Sequence, residues 1–244
     1  MKKLLLILFG LATLLVISAS DGDLPMNEFL TKARRSNPVA TYAKLDGTLQ
    51  HRRKGAESLS MPIYFGVIIH PDRTIGQLIL DRDEAYLLGQ AKGSGVTSIT
   101  KMPASAAGDK LGYVGVRAGD LMLSFLFLKP LRELEREMIS GIVPCRVFLL
   151  DDPTHKERVK VWISREHAFP FRAEFFRYGE TAPFRALEAE AFTEKNSLYY
   201  VRRIRLSGPG WNTKIDFDAD SADVAPLQDG KTPQIIRQIT KQKK

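Results

Sequence analysis

The side chains available for catalysis or metal binding are four histidines, one cysteine and a few alternating acids. His51, His70, His155 and His167 lie in no recognisable catalytic motif. No Gly-x-Ser-x-Gly turn is present to present a nucleophilic serine. Cys145 stands between Val143 and Val147 in an apolar alternation, whereas a nucleophilic cysteine needs an electropositive, partly exposed site. It reads as a small core side chain. The neighbouring Arg146 points to the other sheet face.

Metal-ligand spacings such as His-x-His, His-Glu-x-x-His and Cys-x-x-Cys are absent. Asp216, Asp218 and Asp220 alternate like a weak calcium set, but lack the glycine and terminal glutamate of a calcium loop. They read as a solvated face. Glu188 and Glu190 share a strand face with Phe184 and Phe192, and nothing further marks them as a glycosidase pair. Gly93-Ser94-Gly95 lacks the Lys-Ser/Thr of a phosphate loop. The expectation is therefore no catalytic residue, no metal and no cofactor.

Two features remain. The first is basic: Arg202, Arg203 and Arg205 crowd one segment after Tyr199 and Tyr200, with Arg172, Arg177 and Arg185 in neighbouring segments. Such a face either contacts an anionic membrane or partner, or pairs across strands with Glu174, Glu188 and Glu190. The second is apolar. Ile63, Phe65, Val67, Leu121, Phe125, Trp162, Phe175, Ile215 and Phe217 are the residues expected to line an apolar groove.

The elements that must position these residues are mostly strands. From Ser58 the odd positions Leu59, Met61, Ile63, Phe65, Val67 and Ile69 are apolar, a period of two; Pro62 argues for an edge or a bulge. Segments 39–53, 74–81, 84–90, 142–150, 157–164, 170–178, 184–193, 198–207 and 211–218 also read as strands. Their short joints force antiparallel neighbours. Residues 24–35 and 119–127 read as short helices, and 92–111 as a long Gly- and Ser-rich loop. The sum is a mainly β (α+β) chain of about nine to eleven antiparallel strands with short lid helices. A sheet of that size curls into a half-open barrel.

The amino terminus reads as an address. Lys2 and Lys3 precede 14 apolar-run residues, Leu4 to Ile17, then Ser18, Ala19 and Ser20. That is the layout of a cleavable signal with cleavage after Ser20. The run is short of the ~20 residues that span a bilayer, although an uncleaved anchor is the alternative. Residues 1–20 hold two of the 36 basic residues and none of the 28 acidic ones, so their removal lowers the net charge from +8 to +6. Export makes nucleic acid an improbable target for that charge, and no cysteine near residue 21 offers a lipid anchor. Residues 21–219 read as one β domain, and 220–244 as a polar, basic strap or tail.

The order of features resembles a family. Asn27-Glu28-Phe29-Leu30 sits on a leading helix, and Ala118 to Leu126 follows as a central Asp/Ser-Leu helix. Gly141-Ile142-Val143-Pro144-Cys145-Arg146-Val147 then precedes Val161-Trp162-Ile163-Ser164 and Phe169 to Glu174. This succession is similar to the outer-membrane lipoprotein-sorting proteins, the LolA/LolB-like group, over nearly the whole chain after residue 20. The resemblance implies a half-open β-barrel lidded by helices, with a groove for acyl chains of lipids or lipoproteins. It implies a periplasmic carrier, with an inner-membrane transporter as a possible partner. A non-catalytic module of a resistance–nodulation type export complex is the alternative.

Overall fold

The computed structural model describes residues 24–34, 39–228 and 233–239, together with the backbone of 5–8 and 13–15. The elements are β1 (Leu5–Leu8), β2 (Thr13–Leu15), α1 (Met26–Ala33), β3 (Thr41–Arg53), β4 (Leu59–Ile69), β5 (Arg73–Leu80), β6 (Glu84–Ala91) and β7 (Ser98–Lys101). They continue with α2 (Lys110–Tyr113), α3 (Ala118–Leu121), a 3-10 turn (Ser124–Phe127), β8 (Lys129–Ile139), β9 (Val143–Asp152), β10 (Glu157–Ser164) and β11 (Pro170–Arg177). The last are β12 (Arg185–Lys195), β13 (Leu198–Gly208), β14 (Trp211–Phe217) and β15 (Asp223–Pro226). The expected cleavage point after Ser20 lies outside the described residues. Near the amino terminus, β1 pairs with β2 and runs parallel to β13 at Leu198–Tyr200.

From β3 onward the strands form one antiparallel sheet. Its order is β7-β6-β5-β4-β3-β14-β13-β12-β11-β10-β9-β8, with β15 added to β3 at Thr41–Lys44. Two meanders, β3–β7 and β8–β14, are joined where β14 lies along β3 from Gly47 to Arg53. The sheet is not closed: β7 and β8 are its two ends. Thirteen strands replace the nine to eleven expected, because β7, β8 and β15 carry no clean alternation in sequence. In β8, Lys-Pro-Leu-Arg-Glu-Leu-Glu-Arg-Glu-Met-Ile is dense in charge and pairs with β9 through two register shifts. Charges and bulges of this kind protect an edge strand from pairing with foreign chains.

Pro62 shows how the pattern was resolved. β4 is an interior strand over Ile63–Ile69, but its pairing with β5 starts only at Ile63. Pro62 lies beyond it, opposite Thr48 of β3, where a missing N–H breaks no second ladder. The helix expected over 119–127 is likewise divided. Leu123 takes a left-handed backbone (φ 50°), which ends α3 and starts the 3-10 turn.

The inward face of the sheet packs against α1, α2, α3 and the 3-10 turn in one large apolar core. Two small clusters lie on the outward face: Tyr64, Ile79 and Ala85, and Cys145, Val147 and Trp162. Hydrophobic burial of this extent, worth about 25 cal/mol per Å², holds the chain together without a disulfide, since Cys145 is free and buried.

Candidate functional site

Eight of the nine expected groove residues meet on the inward face. Ile63, Phe65 and Val67 of β4, Leu121 of α3, Phe125 of the 3-10 turn, Phe175 of β11, and Ile215 and Phe217 of β14 all belong to the main core. Trp162 does not. In β10, Val159, Val161 and Ile163 point inward, so strict alternation sends Trp162 outward. There its Nε1 donates to the Glu137 carboxylate at 2.8 Å, and Lys160 Nζ stands 4.4 Å from its ring centroid. Trp162 is therefore removed from the inward groove set.

Phe125 and Phe175 of that set also line an open cleft on the inward side. The cleft, about 570 Å³, runs along the seam between the two sheet ends. One wall is Gly95–Thr97 with Ile99 of β7. The second is the segment from Arg117 to Leu128, and the third is the β9–β10 turn from Asp151 to His155. Val96, Ile99, Phe125, Phe127, Leu128 and Phe175 are among its apolar lining. Leu121 belongs to this segment, and Ile63, Phe65, Val67, Ile215 and Phe217 of the sheet share its core, so the segment forms a lid against the inward face.

The lid forms locally by capping. Asp109 accepts the Gly112 N–H (2.9 Å) at the start of α2, and Asp120 accepts the Arg117 N–H (2.6 Å) at the start of α3. Polar latches then fasten it to the rest of the molecule. Arg34, at the end of α1, donates from Nε to the Leu126 carbonyl (2.6 Å) and from Nη2 to the Leu128 carbonyl (2.9 Å). Burial lowers the Arg34 pKa. Arg117 makes a forked pair with Glu157 of β10, at 2.8 and 2.9 Å. That pair, as the largest cause, raises the Arg117 pKa. Arg185 of β12 donates to Asp120, and both side chains are buried. Its guanidinium stands 4.8 Å from the Phe175 ring centroid, and Arg117 stands 5.9 Å from the same ring.

A fourth latch holds α2. The Thr213 hydroxyl of β14 donates to the Val114 carbonyl, and His51 Nδ1 of β3 lies 2.8 Å from the Thr213 hydroxyl oxygen. Thr213 has spent its one proton on Val114, so His51 donates from Nδ1 and its Nε2 is bare. Nε2 is buried without a partner among the described residues. Burial, and then the charge of Arg53, lower the His51 pKa.

Among the described residues, hydrogen bonds assemble no catalytic constellation at the cleft. His155 Nδ1 pairs with Asp152 at 2.8 Å on the rim, but the Ser124 hydroxyl donates to the Gly119 carbonyl at 3.3 Å. Among the described residues no group of three or more His, Cys, Asp or Glu side chains is placed to hold a metal ion. The arginines expected at a membrane or partner surface each meet an acid. Arg202 and Arg203 face Asp216, with Arg203 Nη2 at 2.7 Å, and Arg205 meets Glu190 at 2.5 Å. Glu188 meets Arg172 at 3.4 Å.

The latching residues carried no signal of their own in the sequence. Arg185 appeared only as one of a basic group, and Arg34, Arg117, His51 and Thr213 stand in no motif. Their partners are 40 to 162 positions away, so only the fold brings them together.

No family model and no curated protein sequence matches the chain. Solved structures do match it. A DUF1329 family protein from Desulfovibrio piger superposes with a TM-score of 0.59 and 12% identity, over 84% of this chain and 92% of its own. A domain described as a candidate outer membrane lipoprotein-sorting protein, from Vibrio parahaemolyticus, gives 0.57 and 14%, over 84% and 93%. A LolA superfamily protein from Nitrosomonas europaea gives 0.53 and 15%, over 84% and 96%. The chain thus shares the fold of the lipoprotein-sorting and LolA superfamily structures.

Proposed function

We propose that the protein is a periplasmic carrier that takes acyl chains of lipids or lipoproteins into the seam cleft and beneath the lid. The observation that carries this reading is the cleft itself. It is apolar, opens along the unclosed edge of the sheet, and at about 570 Å³ falls within the ~300–1,000 Å³ of ordinary ligand pockets. Its lid is joined to the sheet by a few polar latches, while the surfaces beneath it are apolar. Releasing those latches opens the core between Leu121 on the lid and Phe65 and Phe217 on the sheet, next to Phe125 and Phe175. An acyl chain replaces the lost contacts, at ~0.8 kcal/mol per buried methylene. The shared fold with a lipoprotein-sorting domain and a LolA superfamily protein supports the same reading. Periplasmic placement, which the amino-terminal pattern supports, and transfer to or from a membrane machine are both part of the proposal.

The test is binding of anilinonaphthalene sulfonate to the purified protein, competed by a palmitoyl lysophospholipid. Saturable fluorescence that the lipid abolishes is the expected result. Absence of saturable binding, with no lipid found by mass spectrometry in protein purified from its native envelope, would falsify it.

A further inference from the structure

The outward face of β4 and β5 holds a polar residue where none should be buried. Gln77 is fully buried in mid-sheet. Its amide is satisfied by the chain segment 233–239, which crosses this face as an extended strap. Gln77 Nε2 donates to the Arg237 carbonyl (2.9 Å), and the Arg237 N–H donates to Gln77 Oε1 (2.7 Å). This is a two-point reading of one extended residue's main chain. The Tyr64 hydroxyl donates to the Ile235 carbonyl at 2.7 Å. Three hydrogen bonds therefore recognise backbone alone.

Side chains add a code. The Arg237 guanidinium forks onto Asp46 of β3 at 2.5 and 2.8 Å and lies 3.5 Å from the Tyr64 ring centroid. Ile235 is buried, and Ile239 packs on the Tyr64, Ile79 and Ala85 cluster. Positions 235, 237 and 239 face the sheet together, as every second residue of an extended chain does. Gly66 makes the approach possible, since a Cβ there would stand 2.7 Å from the Ile235 carbonyl oxygen. A cavity of about 510 Å³, lined by Asp46, Pro62, Tyr64 and Arg82, continues the groove beside the strap.

We infer that this outward face is a recognition groove for an extended segment of a partner protein with the pattern aliphatic–x–Arg–x–aliphatic, and that residues 233–239 are its resident intramolecular ligand. The strap's own contacts specify the occupant: main-chain groups for Gln77 and Tyr64, one guanidinium for Asp46, and aliphatic side chains on either side. Among the described residues the strap is in no strand and has no ladder to hold it. It is fastened by side chains, so a competing segment replaces it contact for contact. Tethering gives the strap a high effective concentration, and the partner segment prevails only where it is itself locally concentrated. The groove is on the opposite face from the cleft, and the inference does not rest on the carrier reading.

The test uses a fluorescently labelled peptide with the sequence of residues 233–239 and the full-length Ile235→Ser/Arg237→Ser variant, which undocks the strap. Fluorescence anisotropy should show saturable binding to this variant and binding about tenfold weaker to the wild-type chain. Adding Gln77→Ala to the variant, or replacing the peptide's arginine by alanine, should each weaken binding by about tenfold as well. Saturable binding that neither change affects overturns the groove, as does no binding to a variant with the wild-type circular dichroism and thermal transition. If the variant does not fold, the wild-type chain serves. Millimolar unlabelled peptide should shift the Ile235 and Ile239 methyl resonances, and unmoved resonances overturn the inference. A wild-type dimer lost on Arg237→Ser would give the groove to a second copy's strap and overturn the assignment to a partner.

Discussion

Asp120 and Arg185 form an ion pair in which only 3% and 4% of the two side chains are exposed. It joins the first turn of α3 to the start of β12, and so ties the lid to the sheet beside Phe175. Removing one member of a buried pair leaves a charge without compensation, at about 3–5 kcal/mol. Arg185→Met should therefore lower stability by that amount in urea unfolding. Asp120→Asn keeps an acceptor for the Arg117 N–H but no charge. The Arg185→Met/Asp120→Asn double variant should be more stable than the sum of its parts predicts, with a coupling of about 0.5–3 kcal/mol. Strict additivity would show that the two groups do not act as a pair.

Cys145 tests the placement of the second, outward cluster. Burial, and then the Glu137 carboxylate, push its thiol up to about 11. An ordinary thiol of pKa ~8.5 has on the order of a hundredfold more thiolate at pH 8. Native protein should resist iodoacetamide at pH 8 and become modified at one site per chain once unfolded in urea. Rapid labelling of the folded chain would contradict the burial of β9 under Trp162 and Leu134.

The contrast between β4 and β8 explains how much of this architecture was legible. In β4 the inward positions Met61, Ile63, Phe65, Val67 and Ile69 are all apolar, so the strand and its inward set are readable, while the burial of Tyr64 and Gly66 on the other face comes from the distant segment 233–239 and is not. β8 is an edge strand with neither face deeply buried, and its Arg and Glu residues carry no period to read. Trp162 alternates with Val159, Val161 and Ile163, and that parity sends it outward. The latches were illegible for another reason. Arg34 reaches Leu126 and Leu128, and His51 reaches Thr213, through contacts that no local pattern encodes.

His51 makes the lid's far end sensitive to pH. Its folded pKa is lowered by burial and by Arg53. The unfolded chain therefore takes up a proton near the ordinary value of ~6.5 that the folded chain refuses. The stability contributed is present above that value and is lost as pH falls through the lowered folded pKa. Protonation at Nε2 places a charge in a buried pocket between Tyr113 and Trp211. Urea midpoints at pH 7.5 and 5.5 should differ more for the wild-type chain than for His51→Gln. An equal pH response in both would remove His51 from the account.

The placement of Phe125 and Trp162 on opposite faces gives the proposed carrier its sharpest test. Phe125 lines the cleft, and Thr154 stands on its rim. Phe125→Leu removes part of the apolar wall, and Thr154→Trp puts a bulky ring into the opening without emptying any core position. Each should weaken binding of anilinonaphthalene sulfonate several-fold, while circular dichroism shows the sheet intact. Trp162→Phe keeps an aromatic ring on the outward face and loses the hydrogen bond to Glu137, worth about 0.5–1.5 kcal/mol of stability. It should leave probe affinity unchanged, because the sheet separates that ring from the cleft. If Trp162→Phe weakens the probe as much as Phe125→Leu does, ligand binds on the outward face and the seam cleft is not the site.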